Sequence, residues 1–252
     1  MRLLALLLLI GTAHAQGLTT SPPGQGVSVA KAPLITDTAN TVTHVWWSGG
    51  LKDTKALAWS MTGTVPQLAP SKTYFKQKRA GTGPYSGTQY YTLASPNALQ
   101  FATGTFTACA VYACTGTDSD NALISIDTGT SGFTLSVCRT PGVTTTGGTV
   151  FTVRSGASVL MQTTIGIGVT NVAHVACFGM AAGTAYLKVD GGTTFSGAAT
   201  WVQPAGLPAI LGAYNGGAAP MTRPLFEFWA SSDGWNESNV AALQAAAMAK
   251  FK

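Results

Sequence analysis

Charge is scarce in this chain: Asp, Glu, Lys and Arg together supply 9% of its 252 residues. Helix surfaces are usually rich in Glu and Lys, so this shortage disfavours a mainly helical fold. The abundance of Gly, Thr, Ala and Ser suits short strands joined by tight turns. Glutamate is nearly missing, with only Glu227 and Glu237. Hydrolysis of a glycosidic bond by paired carboxyls needs two of them flanking that bond, and Glu227, isolated between Phe226 and Phe228, reads as a structural hydrogen-bond acceptor. Long apolar runs are lacking too: none reaches the roughly 18 residues of a membrane-crossing helix. The nucleophile elbow G-x-S-x-G, the H-E-x-x-H zinc pair and the phosphate-cradling G-x-x-x-x-G-K are all absent. No C-x-x-C pair accompanies the cysteines, which disfavours a structural zinc site.

Positive charge is present but thin, at a formal +5. Its one local cluster is Lys72, Lys76, Lys78 and Arg79, with Tyr74 and Phe75 interleaved. That footprint is too sparse for a nucleic-acid binder and reads as a solvated loop before the turn at Gly81-Thr82-Gly83-Pro84. An acidic polysaccharide or lipopolysaccharide is the other partner it would suit.

Residues 1–15 have the form of a secretory signal: Arg2, an apolar stretch from Leu3 to Ile10, and the cleavage site Ala13-His14-Ala15 before Gln16. The mature chain is therefore expected to be exported and to start at Gln16, and no Cys follows the site to carry a lipid. Residues 16–40, rich in Ser, Thr, Pro and Gly, read as a flexible arm, and residues 41–252 as one domain.

Eleven apolar blocks separated by turn residues follow, at the spacing of a sandwich or barrel. They are Val42–Trp47, Thr88–Leu93, Phe106–Tyr112, Ala122–Ile126, Phe133–Cys138, Val150–Val153, Val159–Thr163, Val172–Phe178, Ala185–Val189, Ala209–Ala213 and Leu225–Trp229. Phe133-Thr134-Leu135-Ser136-Val137 alternates apolar and hydroxyl side chains, which predicts a half-buried strand. Phe106 to Ala113 is apolar or small on both faces and belongs in the middle of a covered sheet. Asp190-Gly191 carries the chemistry of a tight hairpin turn. One helix is expected, capped by Asn236, with Glu237 in its first turn and Val240, Leu243, Ala247 and Phe251 on one face.

Export permits disulfides among Cys109, Cys114, Cys138 and Cys177. Cys109 and Cys114 lie five apart in one strand, so their side chains point to opposite faces and do not join each other. Bonds across strands or sheets to Cys138 and Cys177 are one outcome, and buried free thiols the other. His44 and His174 lie in apolar strands and read as satisfied imidazoles rather than catalytic bases.

The order of pieces in the last 150 residues resembles a laminin-G-like domain, a concanavalin A-type jelly roll. Phe106-Thr107-Ala108-Cys109-Ala110 precedes Ala122-Leu123-Ile124-Ser125; His174-Val175-Ala176 precedes Tyr186-Leu187-Lys188-Val189-Asp190-Gly191. Ile210-Leu211-Gly212-Ala213 and Leu225 to Asn236 supply the closing strands and helix start, so the likeness runs from about Ala98 to Ala247. Asn239 stands where the family often has a Glu completing the capping box, and Val111 where it often has Trp. The resemblance implies an all-β, two-sheet antiparallel jelly-roll sandwich with one short C-terminal helix. Hydrolases of this fold carry an E-x-D-x-x-E strand that is missing here. Tyr74-Phe75-Lys76 matches part of a lyase motif without the His-bearing strand that should follow.

The expected function is non-catalytic binding of a glycan or surface component, in adhesion or envelope assembly, with neither nucleic acid nor a membrane span involved. Asp118, Asp120 and Asn121 place oxygen ligands in one loop, where Ca²⁺ would be held, or else form a plain turn. Otherwise no cofactor is expected. Tyr214 and Asn215 offer a sugar a stacking face and an amide. The rival readings are a self-assembling surface or virion protein and a divergent glycoside hydrolase or polysaccharide lyase.

Overall fold

Alternating apolar residues and Gly-rich turns organise the chain into two seven-stranded antiparallel sheets, numbered here in chain order. The computed structural model describes residues 42–47, 51–63, 68–70, 80–82, 90–95, 99, 101, 104–114, 121–139, 148–156, 158–166, 173–201, 206–214, 217–218, 221 and 225–251. The signal segment 1–15, the arm 16–40 and the basic cluster at Lys72, Lys76, Lys78 and Arg79 lie outside the described residues.

The first sheet runs Phe195–Ala198 (β14), Thr184–Val189 (β13), Ala173–Ala181 (β12), Phe106–Ala113 (β7), Leu225–Ser231 (β16), Val42–Trp47 (β1) and Leu51–Asp53 (β2). The second runs Ser158–Gly166 (β11), Gly148–Ser155 (β10), Gly132–Arg139 (β9), Ala122–Asp127 (β8), Ala209–Leu211 (β15), Tyr90–Leu93 (β6) and Trp59–Thr62 (β3). Leu68–Pro70 (β4) and Ala80–Thr82 (β5) form a separate two-stranded ribbon. The helix α1 spans Glu237–Phe251. This is the all-β jelly-roll sandwich expected, with its one helix at the C-terminal end. Among the described residues no helix is long and apolar enough to cross a membrane.

Two apolar layers hold the elements together. Between the sheets, Phe106, Phe133, Phe151, Phe178 and Trp201 meet at ring-centroid distances of 5.0–6.1 Å, mostly edge to face. On the other side of the first sheet, Cys109, Val111, Val175, Cys177 and Trp229 pack against Val240, Leu243 and Ala247 of α1. Strand β7 is therefore covered on both faces, as its continuous apolar run requires. The cap of α1 forms as read: the Asn239 amide donates to Asn236 Oδ1 at 3.0 Å.

The cysteines are paired, and no free thiol remains. Cys109 faces Cys177 directly across β7 and β12 and bonds to it beneath α1. Cys114 at the end of β7 bonds to Cys138 on β9, tying one sheet to the other. Inside the sandwich a second tie is polar: the Tyr112 hydroxyl on β7 hydrogen-bonds Thr149 on β10. Burial pushes the Tyr112 pKa far above its ordinary value, so the hydroxyl keeps its proton.

Asp190 and Gly191 do adopt positive φ, 51° and 70°, and the Gly192 amide closes the turn on the Val189 carbonyl. The strand after that turn begins only at Phe195, so the tight hairpin lies elsewhere. It is the β12–β13 connection at Ala182 and Gly183, with φ of 49° and 75°.

Candidate ligand-binding face

The outward side of the second sheet carries a row of side chains in register across six strands. Ser60 of β3 sits opposite Thr92 of β6, Thr92 opposite Ile210 of β15, and Ile210 opposite Ser125 of β8. Ser125 in turn faces Thr134 of β9, and Thr134 faces Thr152 of β10. The neighbours of these residues along each strand, among them Tyr91, Leu93, Ile124, Ile126, Phe133, Leu135, Phe151 and Val153, point into the core. With period-two alternation, the hydroxyls must then face away from it. Five of the six side chains are hydroxyls.

The row is open at one end. Ser60 is exposed and Thr92 half-buried, whereas Ser125, Thr134 and Thr152 are buried. The half-exposed strand expected at Phe133–Val137 is thus covered on both sides. Part of the cover is the loop after β15. Ser125 Oγ donates to the Ala213 carbonyl at 2.9 Å, and the Tyr214 hydroxyl lies 3.0 Å from Ser136 Oγ. The turn closes when the Gly217 amide donates to the Tyr214 carbonyl. Gly217 has φ of +80°, and a Cβ there would sit 2.5 Å from the Tyr90 ring, so glycine lets the backbone lie against that ring. Tyr90, half-buried, stands two residues from Thr92 at the open end of the row, and Tyr214, also half-buried, lies over the covered part with its hydroxyl on Ser136.

At its closed side the face is pinned by charge. Asp127 accepts from Arg154 Nη1 at 2.5 Å, from Thr134 Oγ1 at 3.2 Å and from the Gly129 amide at 2.7 Å. With these donors filled, the carboxylate is a fixed structural acceptor rather than a group waiting for substrate.

Of the residues singled out from the sequence, Tyr214 is on this face. Asn121 is fully buried at the start of β8, its Nδ2 3.4 Å from the Cys138 carbonyl and its own carbonyl accepting from the Val137 amide. Asp118, Asp120 and Asn215 lie outside the described residues, and so do the neighbours with which Asn121 would hold Ca²⁺. Glu227 is buried mid-strand on β16, in the other sheet. His174 is buried against Tyr112, with Nδ1 2.6 Å from Asp190 Oδ2.

Gln244 is the residue sequence reading missed. Fully buried on α1, it donates from Nε2 to the Val175 and Lys188 carbonyls at 3.1 and 2.9 Å, and accepts from the Gly191 amide at 3.0 Å. A polar residue beside Leu243, on a helix face otherwise apolar, was its available signal. Nearby, Lys188 Nζ lies 2.5 Å from Glu237 Oε1, Trp235 Nε1 donates to Glu237 Oε2 at 3.1 Å, and the Trp235 ring stacks on Tyr186.

The hydrogen bond from the Lys188 ammonium holds the Glu237 carboxyl below its ordinary pKa; burial opposes it, and Thr194 and Trp235 reinforce it. A depressed folded-state pKa adds stability that is complete above the ordinary glutamate range and lost as pH falls through the lowered value. Glu237 is half exposed, so the effect is small and local. Acidification below the ordinary glutamate range is expected to shift Trp235 fluorescence, and Glu237→Gln to abolish that step. A step unchanged in Glu237→Gln would contradict the assignment.

No family model matches the chain, and no curated protein does. Solved structures do. Domain 4 of AbnA, a GH43 extracellular arabinanase from Geobacillus stearothermophilus solved with arabinotriose, is similar at a TM-score of 0.60 and 14% identity, covering 80% of this chain and 97% of that one. The binding domain of botulinum neurotoxin serotype D is similar at a TM-score of 0.58 and 12% identity, covering 81% of this chain and 51% of that one. A neurotoxin type C structure, from work tying cell entry to two ganglioside molecules, gives 0.56 and 10% over 81% and 50%. The chain thus spans about half the length of the toxin domains, and identities this low establish the β-sandwich fold alone.

Proposed function

We propose that the chain is an exported, laminin-G-like, non-catalytic domain that binds a glycan on a surface, through the outward face of its second sheet. The in-register hydroxyl row, open at Ser60 and Thr92 beside Tyr90 and covered in part by Tyr214, carries this reading. A sugar ring presents an apolar C–H face and a rim of hydroxyls; tyrosine rings accept the first, and Ser and Thr side chains donate to and accept from the second. Two similar structures support it by the company they keep: AbnA domain 4 was solved with arabinotriose, and neurotoxin type C is tied to gangliosides. Asp127 is committed to Arg154, Glu237 to Lys188, and Glu227 is buried in the opposite sheet, which leaves no paired carboxyls for hydrolysis on this face among the described residues.

The mature chain is expected to give a signal on an array of neutral and acidic glycans. Incubated with neutral and uronic polysaccharides, it should release neither reducing ends nor unsaturated products, with Glu227→Gln indistinguishable from the parent. Product release abolished by Glu227→Gln would overturn the non-catalytic reading. Val159 and Phe195, about half exposed on the end strands β11 and β14, favour a second reading as a structural protein assembling through its sheet edges. That alternative predicts a mass rising with concentration and a blank array.

A further inference from the structure

A cleft of about 540 Å³ opens on the opposite side of the molecule from the hydroxyl row, between α1 and the first sheet. Its volume falls in the roughly 300–1,000 Å³ range of small-molecule sites. Thr107 and Cys109 of β7 line it with Trp229 and Ser231 of β16, and Asn236, Asn239 and Leu243 line it from the helix side. Phe106, Ala108 and Ala110 belong to the core between the sheets, so alternation turns Thr107 to the helix side with Cys109.

We propose that this cleft is a second carbohydrate site, one that takes a neutral sugar unit. The ligand class, though not the location, rests on the carbohydrate-binding reading above. Two features select the chemistry. The floor is apolar, made by Cys109, Trp229 and Leu243, which suits the C–H face of a ring and penalises a buried charge. At the mouth, Asn236 and Asn239 supply amides, and Asp233 supplies a carboxylate that accepts hydroxyl protons and repels an anionic ligand. With sites on both sheets, one chain holds two glycans on opposite sides.

Amide chemical shifts of the intact mature chain, titrated with the methyl glycosides of glucose, galactose, mannose and arabinose, test this. At least one glycoside is expected to move the amides of Gly234 to Asn239. Ala246→Phe, which fills the cleft from its rim, should abolish those shifts, and Tyr214→Ala should leave them intact. Asn239→Ala, which removes an amide at the mouth, should weaken this binding about three- to tenfold, the worth of one neutral hydrogen bond. Melting temperatures close to the parent's check that both cleft variants remain folded. Shifts confined to Tyr90–Leu93 and the Tyr214 turn would overturn the cleft while sparing the first site. Shifts confined to Gly234–Asn239 would support the cleft and overturn the first site. Silence at Gly234–Asn239 with all four glycosides, or shifts there that survive Ala246→Phe, overturns the cleft.

Discussion

Removal of the Cys109–Cys177 bond by the double substitution Cys109→Ala/Cys177→Ala is expected to cost about 4 kcal/mol of unfolding free energy. The bond closes a span of 68 residues, and its main effect is to deny the denatured chain the conformations in which that loop is open. Cys114–Cys138 closes 24 residues, and on the same chain-entropy relation its loss costs about 3 kcal/mol. Either is a large fraction of the roughly 5–15 kcal/mol that separates most domains from their unfolded state. The longer loop also anchors the layer on which α1 sits, so its loss should loosen the helix first. Denaturant unfolding of parent and double variants measures both effects; midpoints within error of the parent would show that the bonds add no constraint.

Leu243→Asp is expected to destabilise the domain by about 2 to 4 kcal/mol, because it places an unpaired carboxylate in an apolar layer. Leu243 is 9% exposed and packs with Val240 and Ala247 over the Cys109–Cys177 pair. The loss should appear as a cooperative fall in melting temperature, since Gln244, one residue on, joins α1 to β12, β13 and the turn after β13 through three hydrogen bonds. A melting temperature within a degree of the parent would mean that the helix is not docked.

All eleven apolar blocks read from the sequence form strands, because each is long enough for alternation or a continuous apolar run to show. The five strands that were not read are three or four residues long. Leu51–Asp53 and Ala80–Thr82 have no periodicity to detect, and Phe195–Ala198 places Ser and Gly on a sheet edge, where pairing with β13 rather than propensity makes the strand. The helix was legible in detail, from the Asn236 cap to the buried Val240, Leu243 and Ala247. Cysteine pairing was not, because partners 68 and 24 residues apart are chosen by sheet order. The parity argument that kept Cys109 from Cys114 survives: one points under the helix and the other into the core.

The candidate face was half legible. Tyr214 stood out as an aromatic beside Asn-Gly-Gly, and the alternating hydroxyls of Thr134 and Ser136 were visible within one strand. Their alignment with Ser125, Thr152, Thr92 and Ser60 depends on register between paired strands, those at β15 and β6 far apart in sequence, which no local pattern encodes. Asp190 shows how a short motif acquires its meaning only in three dimensions. Its carboxylate accepts the Val175 amide at 2.8 Å and pairs with His174, joining the His-Val-Ala strand to the turn that follows the next one.

Titration calorimetry of the mature chain with the strongest glycan from the array tests the central claim most directly. Saturable heat is predicted, weakened at least about tenfold by Tyr214→Ala, the loss of one aromatic anchor at about 1.4 kcal/mol or more. The absence of saturable heat with any glycan, or an affinity that Tyr214→Ala leaves unchanged, would contradict the claim.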